Sequence, residues 1–245
     1  MSISRLHRSK SGFTLVEIMI AGTITVLAAS CALGFYIFAL RIMYKDTQRL
    51  ATNTNLRQFL AHVTKKSLDS TEFYLFPDYK SLDGSVNLTT VPTDTSQLVA
   101  DAYDNYTAEG DCLVLVSRLT TDPDAKIRYI RIYYRVANSP NTQAPMRYYE
   151  KDYGISGSSS TIGTLLNAIN LSSSPQITLS TELAKSTIGR KQSSSTNRYP
   201  VFSTECPEPT PSNASVAINI EIINGTTANN MLSSSSFNYI IAPRI

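Results

Sequence analysis

From Phe13 to Leu40 the chain reads FTLVEIMIAGTITVLAASCALGFYIFAL, and Glu17 is its only ionisable side chain apart from one cysteine and one tyrosine. Ile18 to Leu40 gives 23 uncharged residues. At about 1.5 Å of rise each, a helix of that length crosses a hydrocarbon core of about 30 Å with some tilt. A stretch so apolar has few places to go other than a bilayer or the inside of an assembly. The carboxylate near its start is expensive there, and it marks a function with a partner to be found.

The helical pattern does not stop where the apolar run does. Arg41, Lys45, Asp46 and Arg49 mark the return to water, and Leu56, Phe59, Leu60 and Val63 then recur at helical spacing on one face. The spacing predicts a single helix from about Thr14 to Leu68. Its first half (13–40) suits a membrane, and its second half (41–70) is amphipathic and lies against a folded body. Cys31, set among alanines, reads as a small apolar filler.

Three kinds of N-terminal segment share a basic start and an apolar run. A secretory signal does not place a glutamate in its apolar region. A lipoprotein signal would use Ala28-Ala29-Ser30-Cys31, but Ala28 stands where such signals carry leucine. The third kind accommodates Glu17. The segment Gly12 to Glu17, GFTLVE, resembles the processing site of type IV prepilins and type II secretion pseudopilins. That resemblance implies a basic leader, residues 1–12, cut after Gly12 by a membrane prepilin peptidase that also N-methylates Phe13. It implies an inner-membrane subunit of a bacterium, crossing once with its head outside the cytoplasm, which later joins other pilins or pseudopilins in a filament. Glu17, the fifth residue after the cut, would meet the N-terminal amine of a neighbouring subunit, and each charge would lower the cost of burying the other. One departure is Gly34, which stands where major pilins usually carry a helix-loosening proline.

Arg5, Arg8 and Lys10 account for the whole excess of 22 basic over 19 acidic residues. The rest of the chain is balanced, so composition gives no nucleic-acid footprint. Beyond the helix, residues 71–245 are long enough for one core, and the whole chain has 14 Tyr, 8 Phe and no Trp, a balance suited to strands. Period-two runs predict strands at Phe73–Phe76, Leu113–Val116, Ile127–Val136, Met146–Lys151, Val216–Ile222 and Phe237–Ile241, with the third and fourth forming an antiparallel hairpin. In that hairpin Ile130, Ile132, Tyr134 and Val136 take one face, and Arg131 and Arg135 the other, read as the wet face. Between about 156 and 215 the chain turns to Ser, Thr and Asn, which predicts surface loops and one short helix at Ile162–Ile169. The expected class is α+β: a long N-terminal helix on a mainly antiparallel sheet. The order of elements in the head is similar to PilW-type minor pilins and J-type minor pseudopilins, a likeness of element order alone.

Chemistry-bearing residues are sparse. Cys112 and Cys206 lie in the part expected outside the cytoplasm, where an even pair favours a disulfide. The histidines are His7, in the leader, and His62, read as a surface residue of the helix. No GxSxG, HExxH, CxxC or phosphate-loop motif occurs, so no catalytic residue, cofactor or metal is expected. The acidic run Asp101, Asp104, Glu109 and Asp111 matches no calcium loop and reads as solvated. The chain therefore reads as a structural minor pilin or minor pseudopilin and not as an enzyme. The alternative is a pilus-tip binding module, an adhesin or DNA-uptake pilin, using a basic patch of Arg118, Lys126, Arg128, Arg131, Arg135 and Arg147 to hold phosphates.

Overall fold

The computed structural model describes residues 12–79, 99–100, 106–120, 125–137, 141–169, 180–192, 197–206, 215–224 and 233–241. The leader residues before Gly12, together with Asp101, Asp104 and the proline-rich stretch after Cys206, lie outside them. One helix, α1 (Leu15–Leu68), runs without a break through Gly34. Among the described residues it is the one helix long and apolar enough to cross a membrane. The chain divides into two compact units, residues 1–47 and 48–245. In the first, the helix leaves its large apolar side chains exposed from Leu15 to Tyr44. In the second, Leu56, Phe59, Leu60 and Val63 are buried, the face that the helical spacing predicts.

The rest of the second unit is β1 (Glu72–Phe76), β2 (Val99–Ala100), β3 (Tyr106–Gly110), β4 (Cys112–Arg118), β5 (Ile127–Arg135), β6 (Ala144–Asp152), α2 (Ile162–Ile169), β7 (Thr181–Gly189), β8 (Phe202–Cys206), β9 (Ser215–Asn224) and β10 (Ser233–Ile241). All strand pairs are antiparallel. Hydrogen bonding runs β1-β4-β5-β6-β7-β9-β8-β3-β2, with β10 along the remaining edge of β9. Because β3 passes through Asp111 alone into β4, the path from β4 round to β3 closes on itself, and the sheet is barrel-like. The architecture is α+β, with a long apolar helix and a mainly antiparallel sheet.

Closure explains why both faces of the central strands are dry. Leu113, Leu115, Tyr133, Met146, Phe202, Ile218 and Ile220 pack with the buried face of α1. Val114, Val116, Ile130, Ile132 and Tyr134 pack with α2 on the other side. The α1 and α2 helices and the β5–β6 hairpin lie where the sequence predicts them, and β10 is longer than predicted. Four strands were not expected: β2, β3, β7 and β8. Residues 156–215 are not loops alone, since β7 and β8 complete the ring and bury Ala184, Ile188, Val201 and Phe202. Their inward residues are too few and too small to raise a period-two signal above the surrounding Ser and Thr.

The seam of the ring demands close approach. A Cβ on Gly110 would lie 2.0 Å from the carbonyl oxygen of Phe76, so only glycine lets the end of β1 cross there. The turn after β6 uses Gly154 (φ 74°) and Gly157 (φ 61°), both left-handed, with Gly154 N–H donating to Asp152 Oδ1 at 2.7 Å.

Candidate functional site

The candidate processing and assembly residues form one short stretch. Phe13 is 83% exposed, and a Cβ built on Gly12 meets nothing within 4 Å. Among the described residues nothing therefore demands glycine at position 12. Thr14 stands just before the first residue of α1, and Glu17 is three residues on. The Thr14 N–H and hydroxyl donate to Glu17 Oε2 at 2.9 and 3.0 Å, while Glu17 N–H donates to Thr14 Oγ1 at 3.3 Å. This is a reciprocal capping box, Thr-x-x-Glu, which occupies helix-start donors that hydrocarbon would leave unpaired. A carboxylate also sits favourably at the positive end of a helix. Within a single chain, Glu17 thus already has a partner in Thr14. The spacing TLVE carries this signal in the sequence, and the reading above missed it by looking for the partner on a second subunit.

The expected Cys112–Cys206 bridge does not form. Cys112 is a free, fully buried thiol whose pKa burial pushes well above the usual range. Strand register accounts for this. Gly110 pairs with Phe202 and Tyr106 with Cys206, so Cys206 lies at the far end of β3 from Cys112. Four strand residues at about 3.3 Å each separate those ends, beyond the roughly 7 Å that a disulfide tolerates between Cα atoms. Cys31 is free and exposed on α1. The side chain of Cys206 lies outside the described residues.

Asp111 is not a solvated loop residue. It is buried at the seam, where its Oδ2 accepts from Arg135 Nη1 at 2.9 Å and its Oδ1 from Val201 N–H at 2.9 Å. Its backbone N–H donates to Pro77 O, and its carbonyl accepts from Arg135 N–H. One carboxylate thus ties together the end of β1, the β3–β4 junction, β5 and the approach to β8. Arg135, 0% exposed, is not on a wet face. Burial lowers its pKa and Asp111 opposes that shift.

Arg131 is likewise buried, at 3% exposure. It donates to Glu150 Oε2 at 2.8 Å, to Ser117 Oγ at 2.9 Å and to the carbonyl of Lys66 at 3.2 Å. The last bond caps the C-terminal end of α1, whose final carbonyls have no partner within the helix. Glu150 also accepts from Lys66 Nζ at 2.8 Å and from the Tyr148 hydroxyl. Burial pushes its carboxyl up, but the hydrogen bonds from Lys66, Tyr148 and Arg131 win and hold it at about 2. His62 is not a free surface residue. Its Nδ1 lies 3.0 Å from the Tyr133 hydroxyl and its ring meets Tyr148 edge-on at 4.6 Å. Burial first, then the charge of Lys66, lowers its pKa.

The supposed basic patch is dispersed by these pairings. Arg118 bonds to Glu72, Arg131 to Glu150, Arg135 to Asp111, and Arg147 lies 3.9 Å from Glu182. Among the described residues no three His, Cys, Asp or Glu side chains gather to hold a metal ion. Compared with family models, with curated proteins and with solved structures, the chain matches none.

Proposed function

We propose that this chain is a structural minor pilin or minor pseudopilin, cut after Gly12 by a prepilin peptidase, methylated on Phe13, held in the inner membrane by the first half of α1 and then packed through that half into a type IV pilus or type II secretion pseudopilus. The observation that carries this reading is the N-terminal stretch itself. Gly12 and Phe13 stand open immediately before a capped helix whose first half keeps every large apolar side chain exposed. Exposed apolar surface on that scale needs lipid or protein to cover it. Among the described residues glycine at 12 serves no packing purpose, which supports a demand made by a processing enzyme. Glu17 then has two successive roles. Thr14 satisfies it in the lone subunit, and in the filament it becomes the counter-ion of a neighbour's N-terminal amine. The tip-binding alternative loses the basic patch on which it rested.

Intact-mass spectrometry of the protein from cells that contain the peptidase tests the processing step. The mature chain is expected to begin at Phe13 and carry one additional methyl group. In Gly12→Val a branched side chain occupies the junction, and the uncut chain is expected to accumulate in the membrane. A wild-type chain beginning at Met1, Ser2 or Cys31 would refute the reading.

A further inference from the structure

Three of the six residues of the dispersed patch still line one feature. The last turn of α1 and strands β4, β5 and β6 border a polar cleft of about 480 Å³, faced by Lys66, Arg118, Arg128, Tyr129 and Arg131 and by the carboxylates of Asp69 and Glu150. That volume is within the range that holds small ligands. Four cations face it. Glu72 occupies Arg118, while Lys66 and Arg131 share the single carboxylate of Glu150, and Asp69 reaches Arg131 only at 4.0 Å. Arg128 is exposed and enters no ion pair among the described residues. Its guanidinium lies 4.9 Å from the Tyr129 ring, and that of Arg131 lies 4.8 Å from the same ring. A planar guanidinium stacked on an aromatic keeps its edge donors free for a carboxylate or phosphate.

Glu150 on the cleft wall and His62, which is not part of that wall, both feel the charges of Lys66 and Arg131. The Glu150 carboxyl is held at about 2, and, after burial, the charges of Lys66 and Arg131 lower the pKa of His62. Hydrogen bonds from Lys66, Tyr148 and Arg131 overcome burial at Glu150, and at His62 burial leads, with the charges of Lys66 and Arg131 adding to it.

We propose that this cleft is a binding site for a small free carboxylate or phosphate anion, with Arg128 and Lys66 as its charge partners and the Tyr129 ring beside it. The cleft is too small and too interrupted by Glu150 to follow a nucleic-acid backbone, so the ligand is a small anion and not a polymer. This proposal does not depend on the filament reading.

The test uses the full-length protein in detergent, titrated separately with inorganic phosphate, with succinate and with chloride at matched ionic strength, while arginine side-chain NMR signals are followed. Saturable shifts in the millimolar range with phosphate or succinate, absent with chloride, are expected. The anion that saturates identifies the preferred chemistry. Arg128→Gln is expected to weaken binding about tenfold, the loss of one charge-assisted contact, while leaving the thermal midpoint unchanged. Lys126→Gln, exposed but outside the cleft, is expected to bind as wild type. Responses that equal chloride, that persist undiminished in Arg128→Gln, or that fall equally in Lys126→Gln would overturn the site.

Discussion

Glu150 gathers three donors on one carboxylate, and His62 sits one tyrosine ring away with its proton held off, so acid acts on this corner of the head in two stages. His62 titrates below its ordinary value of 6.5 when folded, so the unfolded chain takes up that proton first. Its contribution to stability is complete above 6.5 and is lost as pH falls below it. Glu150 titrates at about 2 when folded against 4.5 otherwise, so its contribution is complete above 4.5 and is lost between 4.5 and 2. Urea unfolding of full-length protein in detergent, repeated across pH, is expected to show both losses. His62→Gln should flatten the first stage and Glu150→Gln the second. A midpoint independent of pH in the wild type would contradict these environments. None of this corner was legible from the sequence. His62 lies on the helix beside lysines, and only the return of β5 and β6, 71 and 86 residues later, brings Tyr133 and Tyr148 against it.

At the scale of elements, the seam at Asp111 joins strands that are distant in sequence. Asp111→Asn keeps the shape of the side chain but removes the charge that faces Arg135, leaving a guanidinium with no exposure beside a neutral amide. Breaking a buried pair in this way costs about 3–5 kcal/mol. Denaturation should show a loss of that order, and Asp111→Asn combined with Arg135→Met should recover part of it. A loss below about 1 kcal/mol for the single variant would mean that the pair does not hold the ring. Local pattern predicted α1, α2 and the β5–β6 hairpin because each carries its own period: Leu56, Phe59, Leu60 and Val63 for the helix, Ile130, Ile132 and Tyr134 for the strand. The same pattern misplaced Arg131 and Arg135. Alternation assigns two faces to a strand but does not say that both will be covered, and here α1 and α2 cover one each. The strands β7 and β8 were missed for the complementary reason. Ala184, Thr187 and Ile188 become core because neighbouring strands close over them, a property of the ring and not of the segment.

At the scale of the whole molecule, the first unit exposes an apolar helix and the second holds the barrel-like sheet and its buried core. Among the described residues the first half of α1 leaves its large apolar side chains exposed, and Thr14 and Glu17 form the capping box at its start. The filament reading assigns the rest of that surface to lipid and then to other subunits. It also requires Glu17 to do more than cap, because a mature Phe13 amine, ordinarily charged at neutral pH, needs a counter-ion once lipid is replaced by packed helices. Glutamine separates the two roles, since it can complete a capping box but carries no charge.

The most direct measurement compares wild type, Glu17→Gln and Glu17→Ala in two fractions of the same cells: processed protein in the membrane and protein in sheared filaments. All three are expected in the membrane with the leader removed, because the cut lies at Gly12 and loss of a carboxylate makes the span more apolar. In filaments, Glu17→Ala is expected to fall by more than about a hundredfold, the scale on which an unpaired buried charge is penalised, with Glu17→Gln between it and wild type. Equal incorporation of Glu17→Ala and wild type would contradict the account. Full incorporation of Glu17→Gln beside loss of Glu17→Ala would reduce Glu17 to its cap.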